Sequence, residues 1–102
     1  MEAEIFLKKF QTIFSNYKIE TYEVVLEVDV SIKRFFKQKK FLSSQTILKE
    51  DDNLFVSYKI TNDMEIFPLV RKWLPNIKII SPQPTKEKFI NELMLYIKKV
   101  SL

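Results

Sequence analysis

The 102-residue chain has no cysteine, no histidine and no glycine. The first two absences exclude disulfides, zinc-finger spacings, thiol nucleophiles and imidazole bases together. The third is sharper, because average usage of roughly 7% would supply about seven glycines. Phosphate-cradling loops of the Walker and dinucleotide types need glycine so that the backbone can approach the phosphates, and those sites are excluded. Turns fall instead to Asn, Asp, Ser and Pro, as at Asn16, Asp51-Asp52-Asn53, Asn62 and Pro75-Asn76. Long apolar runs are missing too: no stretch nears the ~18 residues of a membrane span. The N-terminus MEAEIFLKKF lacks the basic start and uninterrupted apolar run of a signal peptide. The expectation is a cytoplasmic protein with no membrane partner.

What is present suits one folded domain. Hydrophobic residues make up 46% and aromatics 14%, nine of them Phe, so the core should be rich in rings. A net charge of +4 is a mild excess, and dedicated nucleic-acid binders are usually more lopsided.

Spacing lays out the elements. Residues 2–15, EAEIFLKKFQTIFS, place Ile5, Phe6, Phe10 and Ile13 at helical intervals. TYEVVLEVDV alternates, with Tyr22, Val24, Leu26, Val28 and Val30 on one face of a strand. Ser31 is a candidate cap for the helix IKRFFKQKKFL, which carries Lys33, Arg34, Lys37 and Lys40 on one side. SQTILKE and NLFVSYKIT, split by Asp51-Asp52-Asn53, read as a hairpin whose second strand turns Leu54, Val56, Tyr58 and Ile60 inward. A helix follows from near Glu65 through about Leu74; Pro68 has no N–H to give, so it fits in the first turn or with a kink. IKII, residues 77–80, makes a last strand. Thr85 then caps a final helix whose Ile90, Leu93, Met94, Ile97 and Val100 form a stripe. The expected fold class is α+β: a ferredoxin-like βαββαβ unit with an N-terminal lead-in helix and a C-terminal helix.

The run VVLEVDVSIKRFF, the acidic-turn hairpin, the segment RKWLPNIKIISP and the last helix TKEKFINELMLYIKK resemble the C-terminal extension (WCX) of bacterial WYL-domain transcription regulators. The resemblance covers nearly the whole chain, although its motifs are core and turn patterns and carry no catalytic signature. It implies that residues 1–20 are a lead-in from an absent WYL domain and that residues 21–102 are the ferredoxin-like extension. It further implies a fragment of a longer regulator in which a winged helix-turn-helix, also absent, is the only part to bind DNA. The partners it implies are the WYL domain of the same parent chain, a second copy in a homodimer, and a nucleic-acid effector.

Each candidate site has a plain structural alternative. Lys33, Arg34, Lys37 and Lys40 would meet phosphates or an effector; solvated helix faces carry such charges anyway. Val25 and Phe55 would lie on the sheet's second face, and with Ile5, Phe6 and Phe10 they are the candidate packing interface. That face should be covered by a terminal helix or a partner chain, because an apolar face left in water is unusual. RNA-recognition domains stack bases there, but NLFVSYKI lacks their glycines and paired aromatics. Glu50-Asp51-Asp52 reads as turn chemistry, and Trp73 as packing of its helix onto the sheet. No catalytic residue, metal or cofactor is expected. A freestanding small-ligand or single-stranded nucleic-acid binder is the alternative function.

Overall fold

The computed structural model describes residues 20–101. The expected lead-in helix, with Ile5, Phe6 and Phe10, lies outside the described residues. Within them the chain forms β1 (Tyr22–Val28), α1 (Lys33–Gln38), β2 (Thr46–Glu50), β3 (Leu54–Ile60), α2 (Phe67–Trp73), β4 (Ile77–Ser81) and α3 (Gln83–Val100). A single 3-10 turn, Asp63–Glu65, precedes α2. The strands build one antiparallel sheet in the order β2-β3-β1-β4. This is a small α+β fold with a four-stranded sheet and three helices.

Alternation decides which face is buried. Val24, Leu26 and Val28 of β1 point the same way as Leu54, Val56, Tyr58 and Ile60 of β3 and Ile77 and Ile79 of β4. They form one cluster with Ile32 and Phe36 beside α1, Ile66, Phe67 and Val70 at α2, and Phe89 of α3. All three helices therefore pack on one face of the sheet. Burying each of these side chains contributes about 1.5–3 kcal/mol relative to leaving it in water.

The lack of glycine shapes the turns. Among the described residues none has a positive φ, so the left-handed glycine cap that ends many helices is not used. Instead α1 stops at six residues, and Lys39 turns extended. The freed carbonyls of Phe36 and Lys39 accept from the buried Gln45 side-chain amide at 2.8 and 3.1 Å. Gln45 Oε1 in turn accepts from the Phe41 N–H at 3.0 Å and the Tyr58 hydroxyl at 2.7 Å. The expected helix through Leu42 is thus shorter, because a glutamine binds its end. Ser31 does not cap it either: its N–H and hydroxyl both donate to the Asp29 carboxylate, at 2.9 and 2.6 Å.

The hairpin and α2 are closer to expectation. Asn53 fastens the turn, donating to Glu27 at 2.7 Å and accepting from the Val30 N–H at 2.9 Å. Asn62 and Glu65 form a capping box that starts the 3-10 turn, and Pro68 falls in the first turn of α2. Trp73 sits at the core's margin, stacked on Phe35 at 5.4 Å between ring centroids and close to Phe36 and Phe41. It joins α2 to α1 and the following loop.

Candidate functional site

The helix α3 is held to the body near its start. Thr85, expected to cap it, is instead buried two residues inside, and its hydroxyl donates to Asp63 Oδ1 at 2.8 Å. The Tyr22 hydroxyl donates to the same oxygen, and Lys88 lies 3.4 Å from Oδ2. One carboxylate therefore gathers β1, the 3-10 turn and α3. Burial works to raise the Asp63 pKa, but hydrogen bonds from Tyr22, Thr85 and Lys88 outweigh it and hold the group below the ordinary carboxylate range. Burial and the bond to Asp63 push the Tyr22 hydroxyl up to about 12. A turn later Phe89 meets Phe67 at 5.1 Å, and Glu92 takes Arg71 of α2 in a two-pronged pair at 2.6 and 2.8 Å.

Beyond Leu93 these ties stop. Met94, Leu95, Tyr96, Ile97 and Val100 are all 58–64% exposed. Four of them are consecutive, and at 100° per residue a run of four points in every direction around the helix. The sequence predicts a helical stripe of Ile90, Leu93, Met94, Ile97 and Val100. In the structure only Leu93 of that stripe packs against the core, and the rest stands in solvent. Where α3 leaves the sheet, β4, α2 and α3 enclose an open groove of about 240 Å³, with apolar walls that include Leu74, Ile80, Phe89 and Ile90.

The basic helix is partly neutralised. Lys33 and Lys37 each reach the Glu50 carboxylate at 3.0 Å, and their hydrogen bonds lower the Glu50 pKa. Arg34 lies over the Phe35 ring at 4.9 Å, while Lys40 is exposed beyond the end of α1. Sequence reasoning thus places four cations on one surface, and the fold commits two of them to β2. A different grouping emerges beside them. Arg34, Lys39 and Lys72 border the Phe35, Phe36, Phe41 and Trp73 rings, with Lys72 Nζ 5.7 Å from the Trp73 ring.

On the sheet's second face Val25 and Phe55 are half-buried and Ser57 is buried. Lys49 lies 5.5 Å from the Phe55 ring, and Glu27 and Lys78 stand opposite each other across β1 and β4. The C-terminal helix is not what covers this face, since its Phe89 packs on the other side. Among the described residues no three Asp or Glu side chains converge on a position suited to a metal ion.

Sequence reasoning misses Asp63 and Gln45 and gives Thr85 a different role, as the cap of α3. Each works through a partner at least nine positions away, which periodicity cannot register. The pairing of Asn62 with Glu65 is the one local signal beside them. Comparison with models of known protein families finds no match, and comparison with curated proteins finds none either.

Proposed function

We propose that the chain is a non-catalytic assembly module, a dimer in its working state, joined through the C-terminal half of α3. The observation that carries this reading is the exposed run Met94-Leu95-Tyr96-Ile97. A helix apolar on all sides belongs inside packing. A short helical segment without tertiary contacts is also marginal in water. A second copy suits the surface because a two-fold pairing sets the same patch on both sides. In an antiparallel crossing centred on Leu95, the apolar runs of the two copies meet.

The element order and the sheet order β2-β3-β1-β4 support a split ferredoxin-like reading with α3 appended. Together with the resemblance described above, this supports the C-terminal regulatory and dimerisation module of a WYL-type transcription regulator. On that reading an effector shifts the packing between this module and the WYL barrel without any reaction here. The winged helix elsewhere in the parent chain binds DNA. Light scattering on the eluting protein tests the association: twice the chain mass is expected, and the chain mass at every concentration rejects it.

A second reading rests on the ring cluster bordered by Arg34, Lys39 and Lys72. Single-stranded nucleic acid binds through aromatic stacking and neighbouring cations. Titration of a labelled oligonucleotide at two salt concentrations separates the readings. Salt-steep binding lost in Arg34→Gln and Lys72→Gln favours this second one.

A further inference from the structure

The two edges of the sheet are unlike. At one edge β2 exposes all five of its residues. There Lys49 pairs with Asp51, Glu50 holds Lys33 and Lys37, and the register slips between Ile47 and Lys49. Charges and register slips are the usual devices that keep an edge strand from pairing with other chains. At the opposite edge β4 pairs with β1 alone among the described residues. Its register is even over Ile77, Lys78 and Ile79 and slips at Ile80, so what sets it apart from β2 is that no ion pair runs along it. Nothing among the described residues pairs with its outer side.

That outer side opens on the 240 Å³ groove. Four consecutive residues, Ile77 to Ile80, line it. Side chains of neighbouring strand residues point to opposite faces, so finding Lys78 in one wall together with Ile77 and Ile79 means that the backbone edge itself is presented up to the bulge at Ile80. The facing wall is α3, through Lys86, Phe89, Ile90 and Leu93. These positions are i, i+3, i+4 and i+7, one continuous helix face.

The charges in the groove indicate what fits. Lys78 stands opposite Glu27 on the far side of the sheet and shares a small polar hollow there with Glu27 and Asp29. Lys86 is half-buried and forms no ion pair among the described residues. An ammonium group held beside apolar walls without a carboxylate favours an anionic, otherwise apolar ligand. A small carboxylate would leave the β4 backbone donors and acceptors unpaired, whereas an extended peptide would pair them.

We infer that the groove between β4 and α3 takes an extended peptide segment of another protein as a fifth strand. Its alternate apolar side chains enter the groove, and a carboxylate, terminal or acidic, lies beside Lys86. This site is distinct from the exposed end of α3, and its test is read at different residues.

The probes are peptides of about six residues, built as Val/Thr, Ile/Ser and Phe/Thr repeats with a free or an amidated C-terminus. They are titrated into the full chain while backbone amides are followed by NMR. Shifts are expected at Ile77 to Ile80 and around Lys86 for at least one repeat, and methylating alternate peptide nitrogens should abolish them. Lys86→Gln, with its spectrum otherwise intact, should weaken the free-carboxylate peptide about two- to fivefold and leave the amidated one unchanged. Three results overturn the inference. One is an absence of shifts at β4 with every repeat, or shifts confined to β2. Another is octanoate binding at Lys86 alongside undiminished binding of methylated peptides, which marks a small-anion site. The last is protection of the Ile77–Ile80 amides in peptide-free protein that grows with its concentration, which marks a second copy on the edge. Light scattering on the same samples reports the α3 association separately, so neither failure is mistaken for the other.

Discussion

The first half of α3 and the second are built from similar residues and sit in different surroundings. From Gln83 to Leu93 the helix is fixed through Thr85 to Asp63, through Phe89 to Phe67 and through Glu92 to Arg71. From Met94 to Val100 the apolar content is no lower, yet every residue is exposed. The difference teaches that apolar spacing sets where a helix has a sticky face, while polar anchors set how far along the helix the chain uses it. Asp63, gathering Tyr22, Thr85 and Lys88, secures the first half alone. The remainder of the helix, Met94 to Val100, lies two to eight residues past Glu92 and is left for another surface.

If that division is right, substitutions on the two sides of Leu93 must act on different observables. Phe89→Ala should have the largest effect, a loss of about 3–5 kcal/mol in urea unfolding, because its ring is buried against Phe67 and β4. Asp63→Ala should cost less, about 2–3 kcal/mol, since it strips the acceptor from two part-buried hydroxyls. Asp63 also predicts a pH dependence. Its folded pKa is depressed below the ordinary 3.8, so its contribution is complete above that value and is lost as pH falls through the folded pKa. Thermal midpoints should therefore fall more steeply below pH of about 4 in the wild type than in Asp63→Ala. At the small end, Met94→Ala in dilute protein should change stability by no more than about 0.5 kcal/mol. A loss comparable to that of Phe89→Ala would break the comparison.

Much of the framework was legible in the sequence, for a physical reason. Strand alternation in β1 and β3 has a period of two that only one buried face satisfies, so Val24, Leu26, Leu54, Val56 and Tyr58 could be assigned inward without coordinates. Pro68 favours a first helical turn because an interior proline loses a hydrogen bond and kinks the helix. The end of α1 was not legible, because Gln45 terminates it from nine positions beyond Phe36. Nor was the fate of the Ile90–Val100 stripe. Helical periodicity reads the same whether the face meets its own core or another molecule. The same ambiguity hid the basic helix's role, since Lys33 and Lys37 are consumed by a glutamate in β2 that no local pattern connects to them.

The most direct test of the account is amide hydrogen exchange along α3 as protein concentration is raised. Residues 85–92 should be protected at every concentration, and residues 94–100 should gain protection only as the chain associates. Rapid exchange of residues 94–100 that ignores concentration would contradict the proposal that this half of the helix is an interface.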